Sequence, residues 1–161
     1  VGALAETLTA ETFTRVLYPD DHTTEGKGLR FFQEYFLVAC SLADLLRRFR
    51  AAGNDWSVLP DKAAIQLNDT HPALAIVELM RILVDEKALE WSEAWDITHA
   101  TFGFTNHTLV PESLEKWPVW LLQHVIPRHL QIIYEINRRF LDHVESVYPG
   151  DAGRRKWAVV E

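Results

Sequence analysis

The stretch that most constrains this 161-residue chain runs from Ala64 to Pro72, with the sequence AIQLNDTHP. Its first part is a short apolar run, which is typical of a buried β-strand. The residues from Asn68 to His71 are polar, and Pro72 then opens an apolar pattern with helical spacing. A strand, a polar turn and a helix in this order place ligand-binding groups at the carboxyl end of the strand in open α/β folds.

The polar side chains of this turn have two interpretations. Asp69 or Thr70 can cap the following helix, and Pro72 suits its first turn. Four polar residues are more than a cap needs, so a binding role is as plausible as a hydrogen-bonded structural corner.

A second polar turn, from Thr105 to Thr108, follows the short run 100–104, which we predict to be a second strand. The turn contains Asn106 and His107. A single histidine is more often structural than functional, but two strand-end clusters with one histidine each favour a shared site. We predict two short, parallel strands in an α/β segment that is otherwise mostly helical.

The rest of the chain is predicted to form helices and loops. The stretch from Leu29 to Arg50 is a predicted helix. Gly53, which follows its end, can supply a left-handed cap. The predicted buried stripe of the helix consists of Leu29, Phe32, Phe36, Ala39, Ala43 and Leu46, and it is widened by Cys40 and Leu42. A loop is expected over 19–26, and Ser92 is expected to cap a later helix. A further helix begins at Pro127, with a predicted stripe of Ile133, Ile136, Phe140, Val144 and Val147.

Composition excludes several classes of protein. The formal net charge of −7 argues against nucleic-acid binding, which requires clusters of basic residues. A single cysteine, Cys40, excludes an internal disulfide framework. No apolar run approaches the roughly 20 residues of a membrane span, and 1–10 lacks the basic start of a signal peptide. We therefore expect a cytoplasmic protein that binds neither nucleic acid nor membrane.

The sequence gives little support to the common catalytic motifs. Four residues are of a type that could bind a metal ion: Asp69, His71, His107 and His124. Their positions do not have the local spacing of zinc motifs, so the sequence does not predict a metal site. A serine nucleophile elbow and a glycine-rich phosphate loop are absent from the sequence. A glycosidase pair of Asp69 with Glu112 or Glu115 stays open, because sequence alone does not give the separation of the carboxyl groups.

Four linked stretches resemble the α-glucan phosphorylase family, which includes the glycogen and maltodextrin phosphorylases. They occur in the family's order. The first runs from VLYP at 16–19 to Leu29-Arg30, and the second is AIQLNDTHP at 64–72 followed by ELMR at 78–81. The third runs from FTNHT at 104–108 to EKW at 115–117, and the fourth runs from Leu122 to Leu141. The resemblance extends from about Thr14 to Tyr148.

The resemblance implies a fold and an activity. The chain would be an internal piece of the N-terminal half of a Rossmann-like, two-domain (GT-B type) glycosyltransferase, which agrees with its start at a residue other than Met. The full-length enzyme would split terminal α-1,4-glucosidic bonds of a glucan with inorganic phosphate and release glucose 1-phosphate. It would be a homodimer that uses pyridoxal phosphate held by a C-terminal domain outside this chain. We expect the segment alone to bind no cofactor or metal and to be inactive.

The resemblance also assigns roles to residues. His107 would hydrogen-bond the glucosyl unit with Asn106 beside it, and Asp21 would face the site from a gate loop at 19–26. None of these would be the catalytic acid, base or nucleophile. An adjoining polar pocket would be lined by Asp69, His71 and Thr108 and bordered by Arg30, Glu112, Ser113 and Glu115. The chain departs from the family at Asp20, His22, Phe104 and Ser113, where Asn, Asn, Tyr and Ala are usual.

Arg47 and Arg48 match an arginine pair that binds a nucleotide effector in animal members of the family. We do not expect an effector site, because 51–60 is shorter here than in those enzymes. The alternatives from other classes are a non-catalytic helical interaction module and a carbohydrate-binding module. Strand ends that converge would favour the phosphorylase, and separated ends would favour the alternatives.

Overall fold

The computed structural model describes residues 15–16, 19–20, 22–110, 114–151 and 153–154, and the chain divides into two compact units, 1–116 and 117–161. The helices are α1 (Thr24–Ala51), α2 (Leu59–Lys62), α3 (Leu74–Arg81), α4 (Trp91–Thr101), α5 (Val119–Val125) and α6 (Pro127–Val147). The strands are β1 (Ile65–Asn68) and β2 (Phe102–Thr105). A 3₁₀ turn spans Trp56–Val58, and a π-helical turn, Ile82–Glu86, extends α3. The described helices include none with the length and apolarity that a membrane crossing needs.

The two strands pair in parallel, with Ile65 opposite Phe102 and Asn68 opposite Thr105. The connection between them passes through α3, the π-helical turn and α4. Parallel pairing requires such a crossover, because the chain must return to the same end of the sheet before the second strand starts. The prediction of a mostly helical segment with two short parallel strands is confirmed.

The core of the first unit forms where α1 packs against α3, and where α4 packs against α2 and α3. Its fully buried apolar side chains are Phe31, Leu59, Leu79, Met80 and Leu83. Burying a side chain of this size stabilises the fold by roughly 1.5–3 kcal/mol. This packing holds the short sheet in place, since a turn of five residues, 69–73, joins β1 to α3, and α4 leads directly into β2.

Helix α1 begins earlier than the sequence predicted. Thr23 caps it, because its Oγ1 accepts a hydrogen bond from the Gly26 N–H at 3.0 Å. The last three residues of the stretch predicted as a loop, 24–26, therefore lie in the first helical turn. At the other end Gly53 adopts a φ of 78°, as expected for a left-handed cap.

The predicted buried stripe of α1 is only partly correct. Leu42 and Leu46 are buried, but Phe32 and Phe36 are 46% and 49% exposed, and Ala43 is exposed too. The other buried apolar positions of the helix are Phe31, Val38 and Phe49. Both sets have helical spacing, so periodicity alone did not distinguish the face that α3 covers from the opposite face.

The predicted side-chain caps of two other helices are also wrong. Helix α3 starts after Ala73 and α4 starts after Glu90, and neither start has a side-chain cap hydrogen bond. Ser92 already lies inside the first turn of α4. Asp69 and Thr70 do not cap α3, because their side chains make hydrogen bonds to other segments.

The second unit contains α5 and α6. Helix α6 begins at Pro127, as predicted, and Gly150 follows its end with a φ of 77°. Its predicted stripe is only partly correct, since Phe140 and Val147 are exposed while His129 and Ile132 are the buried positions.

Candidate functional site

The two polar turns begin side by side at one edge of the sheet. Asn68 and Thr105 are partners in the strand register, and the Asp69 N–H continues the ladder by donating to the Thr105 carbonyl at 2.8 Å. Gln66 adds a side-chain link, because its Nε2 donates to Thr105 Oγ1 at 3.0 Å. The two turns therefore leave the sheet at neighbouring positions, and the strand ends converge.

Asp69 connects the two turns. Its Oδ1 accepts a hydrogen bond from the His107 backbone N–H at 3.0 Å. Its φ of 64° lies in the left-handed region, which Asp and Asn enter more readily than most residues. This conformation lies at the point where the chain turns from β1 toward α3.

The turn after β2 is held by its own side chains. The Thr108 N–H donates to Asn106 Oδ1 at 3.0 Å, and the Val110 N–H donates to Thr108 Oγ1 at 3.1 Å. Such local side-chain bonds fix turns of Asn and Thr. His107 lies between these two residues, with its side chain exposed and its backbone held by Asp69.

A network of charged and polar side chains joins α1, the turn after β1 and the segment around Glu115. Arg30 on α1 donates from Nη2 to Glu115 Oε1, and from Nε to Glu34 Oε1 at 3.3 Å. Thr70 donates from its hydroxyl to Glu115 Oε2 at 2.9 Å. The side chains of Glu34 and Glu115 are only 9% and 12% exposed. Charge-assisted hydrogen bonds of this kind are stronger than neutral ones, and they connect the turn after β1 to α1.

A small cavity of about 100 Å³ lies beside this network. It is lined by Arg30, Gln33, Glu34, Leu37, Val38, His71 and Pro72. Arg30 and His71, which the sequence placed at one pocket, thus share a cavity between α1 and the turn after β1.

Burial changes the protonation of one member of the network. Burial first, and then the negative charge of Glu115, raise the pKa of Glu34 to about 8, against the opposing effect of Arg30. With a pKa of about 8, the Glu34 carboxyl is mostly protonated at pH 7. The guanidinium of Arg30 has a raised pKa because the two carboxyl groups outweigh its desolvation.

The structure brings together most of the residues that the sequence assigned to the site. Asp69, His71, Asn106, His107 and Thr108 lie on the two adjoining turns, and Arg30 and Glu115 belong to the network beside them. Asp21, Glu112 and Ser113 lie outside the described residues.

Arg47 and Arg48 are not near this edge. They lie on α1 about 25 Å along the helix axis from Arg30, given the rise of 1.5 Å per residue. Both are exposed and pair with Asp44, at 2.8 Å and 3.0 Å. This pairing is that of an ordinary solvated helix end.

Sequence reasoning missed Glu34 and Gln33. Gln33 is buried and donates from Nε2 to the Val16 carbonyl at 2.6 Å. The spacing of Arg30 and Glu34, which are four residues apart on one helix, was the available signal for the ion pair. Among the described residues no group of three or more His, Cys, Asp or Glu side chains could hold a metal ion.

Comparison with known proteins identifies the family. The family model described as carbohydrate phosphorylase matches residues 1–161. The chain is 52% identical over 170 aligned positions to glycogen phosphorylase, muscle form, from Ovis aries and from Homo sapiens, and to the liver form from Ovis aries. Each alignment covers 100% of this chain but only 20% of the length of the relative. The chain therefore belongs to the carbohydrate phosphorylase family.

Proposed function

We propose that this chain is a segment of an α-glucan phosphorylase, a glycosyltransferase that splits terminal α-1,4-glucosidic bonds with inorganic phosphate and releases glucose 1-phosphate. The observation that carries the proposal is the hydrogen bond between Asp69 and the His107 backbone, which joins two polar turns at one sheet edge. Ligands bind at the carboxyl ends of strands in open α/β sheets, and family membership supplies the substrate class.

His107 and Asn106 are proposed to bind the glucosyl unit. The imidazole can both donate and accept a hydrogen bond, and the Asn106 amide offers two N–H donors to sugar hydroxyls. Since Asp69 holds the backbone at His107, binding needs to order little of the backbone there. Asp21, on the proposed gate loop before α1, would complete the sugar contacts.

A polar pocket is proposed next to the sugar site, lined by Asp69, His71, Thr108, Arg30, Glu112 and Glu115. The cavity beside Arg30 and His71 supports this placement. The side chains of this pocket would shape the site and hold its water, and they would not serve as acid or base.

Pyridoxal phosphate is proposed as the cofactor of the full-length protein. It needs a lysine beside an enclosed cavity, and the described residues do not fit it: Lys62, Lys87 and Lys116 are exposed, and the half-buried Lys27 lies in the first turns of α1. No step in this segment is therefore assigned to the cofactor. We further propose a cytoplasmic homodimer, in keeping with the exposed thiol of Cys40.

The alternatives were a helical interaction module and a carbohydrate-binding module. Both predict no special relation between the two polar turns. The hydrogen bond from the Asp69 N–H to the Thr105 carbonyl, and the bond from the His107 backbone N–H to the Asp69 carboxylate, favour a shared site instead.

The test is phosphorolysis by the full-length protein that contains this chain, with His107→Ala compared against His99→Ala. Losing one sugar hydrogen bond of ~1.4 kcal/mol should lower kcat/KM for glucan about tenfold. His99 lies exposed on α4, before β2 begins, so its replacement should leave kcat/KM unchanged. Equal activities of the two variants would contradict the proposed role of His107.

The isolated 161-residue chain should form no glucose 1-phosphate from glucan and inorganic phosphate. Glucan-dependent product from the purified chain would overturn the proposal that the chemistry resides in the rest of the full-length protein.

A further inference from the structure

Glu34 is a buried carboxyl group that the proposed sugar contacts do not use. It lies one helical turn after Arg30, and its side chain is 9% exposed. The charged and titratable groups around it in the described part of the chain come from three segments. Arg30 lies on the same helix, Glu115 follows β2, and His71 from the turn after β1 lines the same cavity.

Glu34 and Glu115 both contact the guanidinium of Arg30, and both side chains are nearly buried. Two ionised carboxylates placed in this way repel each other with little water to screen them. A proton on one of the pair removes this repulsion. Glu34 is the more buried of the two and receives a single bond from Arg30, whereas Glu115 also accepts from Thr70, so the proton belongs on Glu34.

We propose that Glu34 is a positioning residue, which shares its proton with Glu115 and thereby holds Arg30, Glu115 and Thr70 in place beside the two polar turns. With the proton present, the Arg30 guanidinium faces a single carboxylate of this pair, and the charges of these three groups balance. When the proton leaves, two carboxylates face one guanidinium at low exposure, and their repulsion pushes Glu115 away from Thr70.

The effect reaches the proposed sugar site over a short path. Thr70 bonds Glu115 at 2.9 Å, and it is covalently joined to Asp69, whose carboxylate holds the His107 N–H at 3.0 Å. Displacement of Glu115 therefore loosens the turn that presents His107. Since burial raises the pKa of Glu34 to about 8, binding of the sugar should weaken as the pH rises through that value. This consequence rests on the proposed function, whereas the shared proton does not.

The first test compares the pH profiles of the full-length holoenzyme and its Glu34→Gln variant. Glutamine keeps the shape of a protonated carboxyl and can donate to Glu115 at every pH. In the wild type, the KM for glucan should rise above about pH 8 with kcat less affected, and in Glu34→Gln this rise should disappear. Glu93→Gln, an exposed position on α4, is the matched control and should follow the wild type.

Superimposable profiles for wild type and Glu34→Gln would overturn the inference. Loss of activity in Glu34→Gln at all pH values would also overturn it, provided that the variant is folded by circular dichroism, because a mimic of the protonated state should function at neutral pH.

The second test does not depend on activity. Infrared spectra of protein labelled with ¹³C-glutamate should show, at pH 7, a protonated-carboxyl band in the wild type that is missing in Glu34→Gln and fades as the pH passes about 8. If the band is present but the enzyme shows no phosphorolysis, the proposed function fails while the shared proton stands. If the band is missing, the inference fails whatever the activity.

Discussion

Two buried threonines on α4 differ in how their hydroxyl groups are satisfied. Thr101 is 2% exposed and donates from Oγ1 to the Ile97 carbonyl at 2.7 Å. Thr98 is 1% exposed, and its Oγ1 finds no hydrogen-bond partner among the described residues. A buried hydroxyl without a partner loses its bonds to water and gains none in return.

Replacing each threonine by valine should therefore have opposite effects. Thr98→Val removes the unpaired hydroxyl at almost constant volume and should raise the free energy of unfolding by about 1 kcal/mol. Thr101→Val removes a hydrogen bond and should lower it by a similar amount. Urea unfolding of the two variants measures the difference, and a loss of stability in Thr98→Val would show that its hydroxyl has a partner after all.

At the scale of residues, the sequence predicted the strand-end turns well and their hydrogen bonds poorly. Asp69 and Thr70 were expected to cap a helix, since local rules consider only near neighbours along the chain. Their partners, His107 and Glu115, are separated from them by 38 and 45 residues. Glu34 was overlooked for the same reason, because its burial depends on a segment far away in sequence.

At the scale of elements, the start of α1 depends on a glycine. A Cβ atom added at Gly26 would lie 1.8 Å from the backbone carbonyl oxygen of Asp20, a distance at which the backbone must move. The cap residue Thr23 is close as well, since its Oγ1 would lie 3.1 Å from the added Cβ. Gly28, two residues later, has open space at its Cβ position.

Gly26→Ala and Gly28→Ala therefore form a matched pair within one helix. Gly26→Ala should push the 19–23 segment off the helix and lower stability, despite the better helix propensity of alanine. Gly28→Ala should raise stability by up to about 1 kcal/mol, since alanine replaces glycine in a helix interior. Thermal unfolding, together with proteolysis at the loop, would report both effects, and equal responses would show that Asp20 does not approach Gly26 closely.

Element types were predictable because each depends on local pattern. The strand, turn and helix at 64–81 and the long helix from Pro127 follow from apolar runs and proline positions. The buried faces were less predictable. In α1 the apolar set through Phe32 and Phe36 and the set through Phe31, Val38 and Leu42 have the same period, and only the position of α3 decides between them.

At the scale of the whole molecule, three large apolar side chains on one side of α1 are about half exposed. Phe32, Phe36 and Leu37 are 46%, 49% and 53% exposed in a chain that spans 20% of the length of its glycogen phosphorylase relatives. Contiguous exposed apolar side chains promote association in water.

The isolated chain should consequently self-associate through this face. The double variant Phe32→Ser/Phe36→Ser should stay monomeric at higher concentration and bind less of a hydrophobic dye. The control is a pair of exposed polar positions on the same helix, Ser41→Ala and Asp44→Ala, which should leave association unchanged. Light scattering against concentration measures both, and unchanged scattering in the phenylalanine variant would count against an apolar cause.

The same side of α1 also carries Cys40, the chain's single cysteine, which is exposed one helical turn after Phe36. A thiol-reactive fluorophore would thus attach at one defined point on that face without any engineering of the sequence. Its emission would respond to whatever approaches the helix, and the rate of its attachment would record how much of the time α1 stays open to solvent.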